Sequence, residues 1–150
     1  MAQTHQRLPV AAPYRKLLAY LERGLVLPKI SPNYYDAAGI LLSLLFFVIQ
    51  PIWLKVLVLA LVLLSDWLDG ATARQCGTCS EKGYITDLVT DRISEGLIFI
   101  AASHTYLGRI FFYLWLVNLA CACYSLRSNK HVSIALRFIY MVCLPILPNF

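Results

Sequence analysis

Between residues 37 and 64 the chain is almost entirely apolar, and its one clear break is Gln50-Pro51. The run Ala37 to Ile49 precedes that break and the run Trp53 to Leu64 follows it. Similar runs reach from beyond Asp91 to about Tyr106, from Ile110 to Leu126, and from about Val132 to Leu147. Segments of this kind lie near the roughly 20 residues that cross a hydrocarbon core. In lipid they satisfy their backbone groups internally as helices. The whole chain is 59% hydrophobic and 14% charged, with a mean hydropathy of +0.66, well beyond the average soluble domain. The sequence therefore predicts an all-α integral membrane protein, a helical bundle of about five transmembrane helices. The expected spans are 33–50, 53–73, 84–106, 110–126 and 132–148, within a single domain over 1–150.

Ahead of these runs, residues 13–28 alternate differently. Tyr14, Leu17, Leu18, Leu21 and Leu25 share one helical face, and Arg15, Lys16, Glu22 and Arg23 fall elsewhere. The stretch is too short and too charged to span a bilayer, so it reads as an in-plane amphipathic helix against lipid headgroups. Residues 1–13 lack the apolar core of a secretory signal. Net charge is +5. The basic residues gather before the first span, around the second loop and around the fourth, whereas only Lys55 and Arg109 fall on the opposite side. The positive-inside rule then places the N-terminus and the Asp66–Asp91 loop in the cytoplasm. Such a distribution suits membrane lipids and anionic substrates, and no soluble basic module for nucleic acid is present. Cys76 and Cys79 form a single CxxC without a second pair or a histidine at ligand spacing, while Cys121, Cys123 and Cys143 lie in apolar runs.

Against this background four of the eight acidic residues are Asp66, Asp69, Asp87 and Asp91. Asp66 and Asp69 stand where one apolar run ends, and Asp87 and Asp91 where the next begins. Spacings of three and four put each pair on one helical face. Two helices joined by a short loop can therefore aim all four carboxylates at one spot. Their mutual repulsion calls for cations between them. Hard oxygen donors on rigid helices suit Mg²⁺ or Mn²⁺ with substrate phosphates completing the shell. A structural alternative pairs the same aspartates with Arg74, Lys82 and Arg92. That alternative leaves the fixed spacing, and Gly70 and Gly83 within it, without a reason.

The pattern Asp66-x2-Asp69-Gly70-x2-Ala73-Arg74-x8-Gly83-x3-Asp87-x3-Asp91 resembles the signature of the CDP-alcohol phosphotransferase family at every fixed position. The resemblance implies two Mg²⁺ or Mn²⁺ ions on Asp66, Asp69, Asp87 and Asp91, with Asp91 also the catalytic base. It implies a CDP-binding surface made of Asn33, Asp66, Asp69, Gly70, Ala73, Arg74 and Gly83, with Asn33 matching the family's Pro-Asn pair. The expected function is a membrane transferase of phospholipid biosynthesis. It moves a phosphatidyl-type group from CDP-diacylglycerol or CDP-archaeol to a polar alcohol acceptor and releases CMP. A homodimer is also implied. The family usually has six spans and five apolar runs are visible here, which suggests a shortened member or a partner that completes the bundle.

Asp91-Arg92 is similar to members that use inositol phosphate, whereas Leu88 departs from the small residue or proline usual after Asp87; glycerol phosphate stays open as acceptor. Arg92, Arg127, Lys130 and Arg137 are candidates to meet a phosphorylated acceptor, with positive-inside anchoring the alternative role for the last three. Glu95, one turn beyond Asp91, is expected to pair with Arg92. Two other readings compete. A small divalent-cation carrier requires polar residues through the bilayer depth, and here they cluster at one edge. A non-catalytic relative does not need the full set of aspartates.

Overall fold

The computed structural model describes residues 33–75, 81–128 and 134–147. Among these residues there are five helices and no strands: α1 (Asn33–Leu45), α2 (Ile52–Gln75), α3 (Glu81–Ala102), α4 (Tyr106–Ser128) and α5 (Leu136–Ile146). The amphipathic stretch 13–28 and the Cys76/Cys79 pair lie outside the described residues.

Helix boundaries follow the chain's punctuation. Past Leu45 the bonding tightens, with Phe46 N–H donating to Ser43 O, Phe47 N–H to Leu44 O and Val48 N–H to Leu45 O, each at 3.1–3.2 Å. Pro51 has no N–H to continue the ladder, yet its carbonyl accepts from Lys55 N–H at 3.1 Å and so opens α2. At the other end of the chain, Pro145 stands inside α5 and the helix stops at Ile146. The first and last helices are therefore only 13 and 11 residues long, shorter than the expected spans 33–50 and 132–148. The segment Tyr106–Tyr124 of α4 is long and apolar enough to cross a membrane by length and composition, the one such helix among the described residues. Helices α2 and α3 have 24 and 22 residues, but each carries its charged motif residues at the end nearest the intervening loop.

Helix α1 packs on α2 and α3, α3 on α4, and α5 on α2 and α4. One end of the bundle is apolar. Phe46, Val58, Leu59, Val62, Ile98, Phe99, Leu107, Phe111, Leu136, Tyr140 and Leu144 form its buried cluster. Tyr140 stands at the centre of this cluster, 4.9 Å from the Phe111 ring and 5.5 Å edge-on from Phe99. Polar side chains join the helices elsewhere. Ser43 and Ser94 hydrogen-bond at 2.6 Å between α1 and α3, and Trp115 Nε1 donates to Arg92 O at 3.0 Å between α4 and α3. Asn118 is fully buried. Its Oδ1 accepts from Ile134 N–H at 3.1 Å, and its Nδ2 donates to Ile134 O at 3.1 Å and Glu95 Oε2 at 3.3 Å. This clamp holds the backbone just ahead of α5 against α3 and α4.

Meanwhile many large apolar side chains point outward, among them Leu41, Val48, Trp53, Tyr113 and Ile146. Buried polar groups within and exposed apolar groups without reverse the distribution of a water-soluble bundle. Replacing Asn118 with Leu strands the Ile134 N–H and the Ile134 carbonyl. The expected cost is about 1–3 kcal/mol per stranded group, visible as a lowered melting temperature in detergent.

Candidate active site

Four of the five helices bring their charged residues together because each polar end of a run meets the polar end of the next. Asp36 lies in the first turn of α1, Asp66 and Asp69 in the last turns of α2, Asp87 and Asp91 in the first half of α3, and Arg137 at the start of α5. In an up-and-down arrangement these positions share one end of the bundle.

Two carboxylate groupings result. In the first, one oxygen each of Asp36, Asp69 and Asp87 lies within 4.8 Å of the other two. Asp69 is 94% buried, with a relative exposure of 6%, and its Oδ1 is sealed from solvent without a hydrogen-bond donor. In the second, Arg137 Nη2 bridges Asp91 Oδ1 at 2.6 Å and Asp66 Oδ2 at 2.8 Å. Its Nη1 donates to Ser94 Oγ at 3.4 Å and its Nε faces Glu95 Oε1 at 3.8 Å. Glu95 in turn pairs with Arg92 Nη1 at 2.7 Å, as its spacing indicates. Arg137, Arg92 and Glu95 are all buried, and isolated charges at such depth are expensive unless paired.

Of the remaining motif positions, Gly70 and Ala73 lie on α2 and are half-buried, while Gly83 is exposed in the first turn of α3. The Arg74 guanidinium folds back over Gly70: a Cβ there would stand 3.1 Å from Nη1. The missing bulk at Gly70 thus accommodates this chain's own arginine. Asn33 opens α1, and its side chain is outside the description. Of the four cations expected to meet an acceptor, Arg92 is engaged by Glu95, and Arg137 by Asp66 and Asp91. Arg127 is exposed in the last turn of α4, and Lys130 lies outside the described residues.

Two residues of this region, Asp36 and Asn118, have no place in the sequence reading, and Arg137 has partners that the sequence does not give. Asp36 passed as part of an apolar span, although Asp36, Gly39 and Ser43 recur at helical spacing on one face. Asn118 is a lone amide inside an apolar run, the type of residue that marks a polar contact at membrane depth. Arg137 was considered for acceptor binding, but its partner Asp91 is 46 positions away, beyond any local spacing rule.

The CDP-alcohol phosphatidyltransferase family model matches residues 30–144, which include every residue of this charged site. The chain belongs to the CDP-alcohol phosphatidyltransferase family. Over 81 residues it is 35% identical to a phosphatidylinositol phosphate synthase of Mycolicibacterium smegmatis (strain ATCC 700084 / mc(2)155). That alignment covers 54% of this chain and 36% of the relative, so the chain spans about a third of the relative's length. No solved structure gives a significant match. Family membership accounts for the transferase signature, and the geometry shows how this member arranges it.

The Arg137 bridge gives a direct expectation. Arg137→Met leaves Asp66 and Asp91 facing each other uncompensated, a change that costs about 3–5 kcal/mol for a buried pair broken on one side. Adding Asp66→Asn recovers part of that loss because one of the two repelling charges is then gone. Thermal denaturation of the two variants beside the native chain reads both effects.

Proposed function

We propose that this chain is a membrane transferase of phospholipid biosynthesis. It moves a phosphatidyl-type group from a CDP-alcohol, CDP-diacylglycerol or CDP-archaeol, to an alcohol acceptor and releases CMP. The observation that carries this reading is the convergence of carboxylates from three helices at one end of the bundle, in a chain of this family.

The donor set fits hard divalent cations. It consists of carboxylate oxygens on rigid helices, and one Asp69 oxygen is buried without a donor. In this reading Asp66, Asp69, Asp87 and Asp91 hold Mg²⁺ or Mn²⁺. Such ions, when bound, neutralise charge on the diphosphate and favour departure of CMP. The chain's own groups do the rest. Arg74, Gly70, Ala73, Gly83 and Asn33 are the motif positions that would meet the CDP moiety, and the Arg74 guanidinium has the forked geometry that suits a phosphate. Asp91 keeps 25% of its side chain exposed, so it reaches an incoming hydroxyl as well as Arg137. It takes the hydroxyl proton as the acceptor oxygen bonds to the β-phosphorus. The bond from that phosphorus to the bridging oxygen breaks, and CMP leaves with that oxygen.

The name of the mycobacterial relative supports inositol phosphate as acceptor, as does Asp91-Arg92. Glycerol phosphate is the second candidate. Arg127 and Lys130 follow the fourth apolar run and suit the acceptor's phosphate. The outward apolar side chains on all five helices support embedding in lipid, and the distribution of Lys and Arg supports a cytoplasmic active site.

Asp91→Asn is expected to lower CMP release by roughly 10²–10⁴-fold, the usual contribution of a positioned base, while the chain still folds because Asp66 and Glu95 keep Arg137 paired. The assay uses purified protein, CDP-diacylglycerol and, in separate reactions, inositol phosphate, glycerol phosphate, serine and inositol. Undiminished release by Asp91→Asn removes Asp91 from the reaction.

A further inference from the structure

Asp36 lies outside the motif, yet its carboxylate is one of the three that converge. The approach is built into the packing of α1. Gly39, one turn beyond Asp36, faces Ser65 of α2: a Cβ at Gly39 would stand 3.1 Å from Ser65 Oγ. Ser65 itself is one turn before Asp69 on α2. A further turn along α1, Ser43 bonds Ser94 of α3 at 2.6 Å and its own Gly39 carbonyl at 2.8 Å. Gly39 and Ser43 thus draw α1 against both motif helices, and the next residue on that face toward the N-terminus is Asp36. The contact is layered: Ser43 with Ser94, Gly39 with Ser65, Asp36 with Asp69 and Asp87.

Charge makes this arrangement unfavourable by itself. Three carboxylates at this separation repel one another. Arg137, the guanidinium that settles between Asp66 and Asp91, is already committed there and to Glu95. Within the trio the buried Asp69 Oδ1 has no donor, and a carboxylate oxygen left so is costly. A positive ion that accepts several oxygens at once relieves both the repulsion and the orphaned oxygen. Oxygens on one hard divalent ion stand at most about 4–5 Å apart given metal–oxygen distances of 2.0–2.6 Å, which matches the observed spread.

We propose that Asp36 supplies a third carboxylate, beside Asp69 and Asp87, to a divalent-cation site at the junction of α1, α2 and α3. The inference rests on the metal-assisted reading above and adds to it a ligand that the motif does not contain. The consequence is a cation site that exists only when α1 is docked on the motif helices.

Full-length protein in detergent, titrated with Mn²⁺ and followed by electron paramagnetic resonance, tests this without reference to turnover. Asp36→Asn is expected to weaken Mn²⁺ binding by at least roughly tenfold, the lower end of what even outer-sphere losses produce. Asp36→Glu is expected to restore part of it. Asp36→Asn should also melt higher than the native chain when metal-free, because one of three repelling charges is gone, and should gain less from added Mn²⁺. A merely structural Asp36 gives the reverse, a lower metal-free melting temperature with an unchanged Mn²⁺ increment. Unchanged Mn²⁺ affinity in Asp36→Asn, with affinity lost in Asp69→Asn, overturns the proposal and leaves the transferase reading standing. Absence of Mn²⁺ binding by the native chain overturns both.

Discussion

The Arg137 guanidinium is the interaction on which the charged end of this bundle depends. Asp66 and Asp91 come from different helices and would repel each other; Arg137 reaches both, at 2.8 and 2.6 Å. It arrives there because Asn118 pins the backbone at Ile134, three residues earlier, to α4 and α3. Glu95 supports the guanidinium from the side and is itself balanced by Arg92. This is a closed set of charges, with each buried member paired, as low-dielectric surroundings require. Because Arg137 is spent on Asp66 and Asp91, the other carboxylates, Asp36, Asp69 and Asp87, are left facing one another.

The two halves of the bundle have opposite characters for the same reason. Away from the carboxylates, Tyr140 and the phenylalanines around it fill the interior with aromatic packing. Toward the carboxylates the interior becomes serine, asparagine and charge. Helix–helix contact there relies on small residues and hydrogen bonds such as Ser43–Ser94, the means available where the surroundings are as apolar as the core.

Much of this was legible from spacing. The apolar runs predicted helices, and five helices are found among the described residues. Asp66/Asp69 and Asp87/Asp91 were expected at one place because one helix leaves them and the next begins with them, and membership of the transferase family bears out the resemblance read from that motif. Helix lengths were less legible. Helix α1 gives way to tighter turns past Leu45, and Pro145 stands one residue before the end of α5, so both helices are shorter than the expected spans. The partners of the motif were not legible at all. A spacing rule relates residues on one helix, whereas Arg137 meets Asp91 across the bundle, and Asp36 meets Asp69 because Gly39 lets two helices approach. Asn118, a single amide in an apolar run, and Asp36, in helical register with Gly39 and Ser43, carried local signs of a role.

The central claim is that these carboxylates work by holding divalent cations against a CDP-alcohol diphosphate. The most direct measurement is CMP release from CDP-diacylglycerol by purified protein before chelation, after chelation, and after Mg²⁺ or Mn²⁺ is returned. The account expects release to stop on chelation and to recover when either ion is restored. Release that continues unchanged in excess chelator contradicts it.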